Sequence, residues 1–129
     1  MSKDINFSGV SIYQVKSLIL TDVTFNIAHG EFVYLIGKTG TGKSSLLKTI
    51  YGDLPLRAGN AQVAGFDLEK MNWKTVPYLR RKLGIIFQDF QLLMDRSVDD
   101  NLEFVLRATG TNDKSLIKLK SDEALKRVG

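Results

Sequence analysis

The sequence predicts an α/β fold, and three observations carry that prediction. Residues 37 to 44 read Gly-Lys-Thr-Gly-Thr-Gly-Lys-Ser, which fits G-x-x-x-x-G-K-[ST], the pattern of a nucleotide phosphate-binding loop. Glu31-Phe-Val-Tyr-Leu-Ile36 leads into it, apolar from Phe32 onward, as a buried parallel strand should be. Ser45-Leu-Leu-Lys-Thr-Ile-Tyr51 leads out of it with the helical spacing of Leu46, Leu47, Ile50 and Tyr51. Strand, glycine loop and helix follow in the order that phosphate binding requires.

The other elements follow along the chain. Ile5 to Phe7 and Val10 to Tyr13 are apolar and β-prone, and Leu18 to Ile27 alternates at Val23, Phe25 and Ile27. These segments predict an antiparallel β layer, closed by a turn at Ala28-His-Gly30. His29, the single histidine, reads as a turn residue. Gly52 to Gly59 is a loop, with Pro55 between its glycines, and Asn60 to Asp67 is a short strand and turn. Thr75 is placed to cap a helix that has Pro77 in its first turn. Leu83-Gly-Ile-Ile-Phe87 predicts a second buried strand. Val98 to Ala108 and Ser115 to Val128 have helical spacing, joined by the linker Thr109-Gly-Thr-Asn-Asp113. Repeats and low-complexity segments are absent from the sequence.

Composition bounds the function. The chain has 129 residues, 43% hydrophobic and 25% charged, enough for one domain with a core. It has no apolar run long enough to span a bilayer. Ser2 to Phe7 lacks the charged start and apolar stretch of a signal peptide. Cysteine is absent, which excludes disulfides and thiolate metal sites and fits a reducing cytoplasm. The net charge of +4 reads as a solvated surface rather than a nucleic-acid site. The basic residues look scattered, and Tyr78 to Lys82 and Lys114 to Arg127 read as exposed helix faces.

The loop's chemistry explains its residue types. Glycines let the chain double back and aim several N–H groups inward. With the N-terminus of the next helix, these make a nest for β- and γ-phosphates. Lys43 adds a cation that bridges phosphate oxygens, and the Ser44 hydroxyl suits Mg²⁺, a hard cation that prefers oxygen. About 45 residues downstream, Gln88 directly follows the second apolar strand. Its amide carbonyl could equally be loop polarity, a Mg²⁺ ligand or an anchor for water near the γ-phosphate.

Taken together, Tyr13, the loop Gly37 to Ser44 and the glutamine segment from Gln88 make the chain resemble the N-terminal part of an ABC-type ATPase subunit. The resemblance runs from about Ile5 to Gly129. It implies one P-loop NTPase domain of the ABC type, incomplete, with a core to about residue 93 and the start of a helical subdomain from about 94 to 129. Phe87-Gln-Asp-Phe-Gln-Leu-Leu93 followed by Asp95-Arg-Ser-Val98 is similar to the cell-division branch.

The resemblance implies roles for individual residues. Tyr13 stacks on adenine, against the alternative of an edge-strand tyrosine. Gly37, Lys38, Thr39, Gly40, Thr41, Gly42, Lys43, Ser44 and Ser45 hold ATP, and Ser44 and Gln88 hold Mg²⁺. Lys43 and Gln88 support catalysis without being the catalytic base. The stretch after Gln88, to about Leu106, docks on an integral membrane subunit (FtsX-like). Phe90, Leu92, Leu93 and Met94 serve there as contacts or as core. Several positions depart from the usual family pattern: Lys38, Ser45, Met94 and Asp99-Asp100. None of these removes a phosphate or metal contact.

A whole subunit of this class is about 220 to 240 residues, an ordinary domain size. The signature motif, the Asp-Glu strand (Walker B with the catalytic glutamate) and the switch histidine do not occur in these 129 residues. The sequence therefore predicts a chain that binds nucleotide weakly and does not hydrolyse it. Its parent is expected to be a homodimeric ATPase on the cytoplasmic face of the inner membrane, peripheral through its partner. Three other readings stand beside this one. They are a lipoprotein-release or export ATPase, a non-catalytic module that docks on a membrane partner, and a small nucleotide kinase. The kinase reading leaves Tyr13 and Gln88 without a role.

Overall fold

The computed structural model describes residues 3–129, and the chain divides into two compact units between Gly84 and Ile85. The first unit is built on a four-stranded antiparallel sheet in the order β2-β1-β3-β4. The strands are β1 Lys3–Gln14, β2 Ser17–Ala28, β3 Ala58–Val63 and β4 Phe66–Asp67. The two short β-prone segments expected at the start of the chain are one continuous strand, and the antiparallel layer is as the alternation predicts.

β1 is paired on both edges, so its inward residues are the best covered. Phe7 and Val10 are fully buried and Ile12 nearly so. Phe7 lies opposite Phe25 on one side and Ala61 on the other, with the two phenyl rings 4.9 Å apart. Pairing with β2 slips between Phe7 and Val10. Gly9 sits in that slip with φ 59°, and its N–H donates to the Thr24 hydroxyl at 2.9 Å. Gly59, at φ 86°, passes so close that a Cβ there would collide with the Gly9 carbonyl and lie 2.6 Å from Val10 Cα. Gly59 is needed because two backbones meet there, and both glycines adopt the left-handed region.

Helix α1 Lys43–Ile50 packs on this layer through Leu46. Thr49, also buried, satisfies its hydroxyl by donating to the Ser45 carbonyl at 2.9 Å. Leu68, in the 3₁₀ turn Leu68–Lys70, and Leu79, from α2 Val76–Arg80, complete the core. Thr75 occupies the cap position of α2 without capping it. Its hydroxyl instead accepts from the Asn72 N–H at 2.9 Å, closing the turn before the helix.

Two expected strands are not formed. Glu31 to Ile36 and Leu83 to Phe87 join no ladder. Phe32 is 83% exposed, Ile36 88% and Ile86 94%. The reason is physical: a parallel strand is made by its neighbours, and each strand of the described sheet pairs only with the others of that sheet. The segment before the loop still keeps a period of two. Phe32, Tyr34 and Ile36 are more exposed than Val33 and Leu35, and the Phe32 and Tyr34 rings meet edge to face at 5.1 Å.

The second unit is a helical hairpin of α3 Val98–Ala108 and α4 Lys114–Val128. Ser97 caps α3 by accepting from the Asp100 N–H at 3.1 Å, and Asp99 and Asp100 fill its first turn, where carboxylates complement the helix dipole. Gly110, at φ 103°, ends it. The Thr111 N–H donates to the Leu106 carbonyl at 2.8 Å and the Gly110 N–H to Arg107 at 3.1 Å, the paired bonds of a Schellman termination. Asp113 caps α4 by accepting from the Leu116 N–H at 3.1 Å. Ile117 and Ser121 are its buried residues.

Candidate functional site

The loop between Gly37 and Ser45 is shaped by backbone that other residues would strain. Gly40 has φ 84° and Gly42 φ 99°, both in the left-handed region. Gly42 is the N-cap of α1 and so supplies no side chain to its first turn. No acidic residue lies in that turn either. The N–H groups at the start of α1 therefore remain available to an anion, on the positive end of the helix dipole.

Two contacts leave no room at glycine positions. A Cβ at Gly37 would lie 2.7 Å from the Thr41 hydroxyl. At Gly42 it would lie 2.9 Å from Leu20 Cγ and 3.1 Å from an Ile19 methyl carbon. The loop is thus seated against β2. Within that hairpin Leu20 pairs with Ile12, and Leu18 with Tyr13. The half-buried Tyr13 belongs to the same hairpin that supports the loop.

Inside the loop, the Thr41 hydroxyl donates to the Lys38 carbonyl at 2.7 Å, and the Thr41 N–H donates to the same oxygen at 3.2 Å. The Lys43 ammonium donates to the carbonyls of Gly37 and Lys38, the latter at 2.7 Å. The cation is held over the loop by neutral acceptors, with no carboxylate competing for it among its hydrogen bonds. Ser44 is exposed in the first turn, whereas Ser45 is buried and Thr39 is exposed. At the far end of α1, burial chiefly, with Asp53 adding and Arg80 opposing, holds the Tyr51 phenol above its ordinary pKa.

Gln88 belongs to the second unit and is exposed. It precedes a tight turn in which Phe90 and Gln91 both have positive φ, 59° and 51°. The stretch that follows is pinned by a residue sequence reasoning missed. The Asn101 amide carbonyl accepts from the Leu93 N–H at 2.8 Å, and its NH₂ donates to the carbonyls of Leu93 at 3.0 Å and Ser97 at 2.9 Å. The available signal is an asparagine inside a helix, four residues after a serine cap, where it is seldom favoured. Leu92, Leu93, Met94, Val98 and Leu102 line a small apolar hollow beside it.

The fold and the loop sequence are those of a P-loop NTPase, the class that the comparisons with known proteins also give. The ABC transporter family profile matches residues 20–129, and the chain belongs to that family. It is 36% identical over 120 residues to the cell division ATP-binding protein FtsE of Streptococcus pneumoniae D39, and 42% identical over 110 residues to FtsE of Escherichia coli K12. Those alignments cover 93% and 85% of this chain but 52% and 49% of the relatives, so the chain spans about half the length of the relatives it matches.

Among solved structures, it superposes on the ATP-binding cassette MJ0796, captured as a post-hydrolysis dimer with ADP and Pi. The TM-score is 0.81 and the identity 26%, over 95% of this chain and 56% of that one. It also superposes on cbiO1 of Clostridium perfringens, part of the cbiONQ transporter complex. There the TM-score is 0.82 and the identity 25%, over 98% and 51% of the two chains.

Proposed function

We propose that this chain is the nucleotide-phosphate-binding part of an ABC ATP-binding subunit of the cell-division branch. In that reading the longer protein couples ATP hydrolysis to an FtsX-like membrane subunit. The observation that carries the reading is the start of α1. An uncapped helix N-terminus, a left-handed glycine at its cap and a lysine held by carbonyls lie together in the loop, a set of donors that suits an anion. Relatives named for cell-division ATP binding support the branch.

Each residue acts by ordinary electrostatics. Backbone N–H groups from Thr39 to Ser45 donate to the β- and γ-phosphates. Lys43 exchanges its carbonyl acceptors for phosphate oxygens, a charge-assisted and therefore stronger pairing. The Tyr13 ring stacks on adenine. Ser44, exposed in the first turn, and Gln88 offer the hydroxyl and amide oxygens that suit Mg²⁺. When bound, Mg²⁺ neutralises charge on the phosphate oxygens. Gln88 also orients water at the γ-phosphate.

Within these 129 residues, no apolar strand after Gln88 ends in the Asp-Glu pair that would supply a catalytic carboxylate. The chain by itself therefore holds nucleotide without turnover, and hydrolysis and dimerisation belong to the longer protein. The segment from Phe90 to Leu106 serves as the docking surface for the membrane subunit, which places the assembly at the cytoplasmic face of the inner membrane.

The test is nucleotide binding followed by calorimetry and by fluorescence of a labelled ATP, with Lys43→Ala beside the parent sequence. Binding that needs Mg²⁺ and falls at least about tenfold, equivalent to about 1.4 kcal/mol, in the variant supports the reading. Binding unchanged by the substitution, or turnover of ATP by the 129 residues, overturns the role given to the loop or to the chain.

A further inference from the structure

Tyr13 stands on a hairpin tip that the sheet holds only in part. Toward β2 the register slips between Ile12 and Tyr13, so the pairs Tyr13–Leu18 and Gln14–Ser17 alone lie beyond the slip. Toward β3 the pairing ends at Ser11, opposite Ala58, the first residue of that strand. Among the described residues, Ile12 to Gln14 therefore have a ladder on one edge only. The slip passes over Ile19, and Ile19 and Leu20 are the residues against which Gly42 sits. The tip that carries Tyr13 and the phosphate-binding loop thus meet on the same short piece of β2.

The turn at this tip is strained. Val15 and Lys16 connect Gln14 to Ser17, and Val15 has φ 58°. Two-residue hairpin turns take a positive φ at their first central position, which glycine, asparagine or aspartate usually fills. A β-branched residue is an outlier there, and such strain persists where surrounding contacts impose it. Burial does not impose it, because Val15 is 78% exposed. A long-range contact does: Arg57 Nη1 donates to the Val15 carbonyl at 2.8 Å, from 42 residues along the chain. Arg57 directly precedes β3, so its side chain reaches the tip from the point where the ladder stops. Its charge makes this bond stronger than one between neutral groups.

We infer that Arg57 is a positioning residue for the nucleobase: by holding the Val15 carbonyl it fixes the β1–β2 tip, and with it the place of the Tyr13 ring relative to the phosphate-binding loop. The inference rests on the reading of Tyr13 as the ring that stacks on adenine, and it names what keeps that ring in register. Arg57 acts through the turn, without touching base or phosphate. Its removal leaves the loop as it is, because Gly42 stays seated on Ile19 and Leu20 and Lys43 keeps the carbonyls of Gly37 and Lys38. Arg57 therefore matters for a ligand that has a base and not for one made of phosphates alone.

The experiment compares Mg²⁺-ATP with Mg²⁺-tripolyphosphate, which has the phosphates and no base, by calorimetry on the 129-residue chain. The parent is set beside Arg57→Ala, Val15→Gly and the two together. The expected result is a parent that binds ATP more tightly than tripolyphosphate. Arg57→Ala should weaken ATP at least about fivefold, the lower end of what one stacked base contributes, and leave tripolyphosphate unchanged. Glycine takes a positive φ without strain, so in the Val15→Gly background the loss of Arg57 should cost ATP less than about twofold. That non-additivity marks an action through the turn. Should Arg57→Ala alone fail to fold, the double variant decides, and ATP affinity close to that of Val15→Gly supports the inference. It is overturned if Arg57→Ala leaves ATP unchanged, weakens both ligands equally, or costs as much in the Val15→Gly background as in the parent. A parent that binds both ligands equally contradicts stacking on Tyr13, and one that binds neither contradicts the loop. In both cases the role given to Arg57 falls as well.

Discussion

At the scale of single residues, the loop depends on what is missing from its side chains. Gly42 combines φ 99° with a β2 side chain 2.9 Å from where a Cβ would stand. Gly42→Ala should therefore destabilise the first unit by about 1–3 kcal/mol, from backbone strain and overpacking against Leu20, and weaken ATP binding as well. Denaturant unfolding monitored by circular dichroism checks the first part, and calorimetry the second. Asn101 makes the opposite kind of contribution, its one amide taking part in four hydrogen bonds with Leu93, Arg96 and Ser97. Asn101→Ala leaves a part-buried Leu93 N–H unpaired and should cost about 1–3 kcal/mol. Hydrogen exchange at Leu93 should speed up, whereas unchanged exchange would show that the loop is held by other means. The glycines and Lys43 could be read from the sequence because their chemistry is encoded in local spacing. Asn101 was marked only by an asparagine inside a helix four residues after a serine cap, and the Gly9–Gly59 crossing by nothing local, because its two backbones lie on separate segments.

At the scale of elements, the antiparallel layer was readable because hairpin neighbours are also sequence neighbours. Alternation at Val23, Phe25 and Ile27 sets a face that only one register can bury against β1. The expectation that failed concerned the apolar runs Glu31 to Ile36 and Leu83 to Phe87. Their composition states that they should be covered, yet coverage of a parallel strand comes from distant chain. A consequence follows for Phe32 and Tyr34, two exposed rings on one side of an unladdered segment. Such a segment is an association hazard. Sedimentation should reveal self-association that rises with concentration and is reduced by Phe32→Lys with Tyr34→Lys. A monomer at every concentration would contradict it. By contrast, Phe7 sits at the centre of a completed sheet, paired on both edges. Phe7→Ala should cost about 3–5 kcal/mol, seen as a lowered denaturant midpoint.

At the scale of the whole molecule, the family membership, the fold likeness and the loop geometry converge on nucleotide phosphate binding. They carry different weight. The family match and the structural neighbours concern proteins about twice the length of this chain's matched region. The loop concerns these residues alone: Gly42 at the cap, Lys43 over the carbonyls of Gly37 and Lys38, and Ser44 exposed in the first turn. Gln88 stood out by its place after an apolar strand downstream of the loop, whereas the role given to Tyr13 came from the resemblance to the family. The central claim rests on the loop, and one titration addresses it: Mg²⁺-ATP into the 129-residue chain by calorimetry, repeated with Lys43→Ala and with adenosine in place of ATP. The account predicts heat of binding for Mg²⁺-ATP with the parent chain, at least about tenfold weaker binding in the variant, and little for adenosine, which lacks the phosphates. Equal affinity for ATP in the parent and variant chains, or adenosine binding as tightly as ATP, would contradict it.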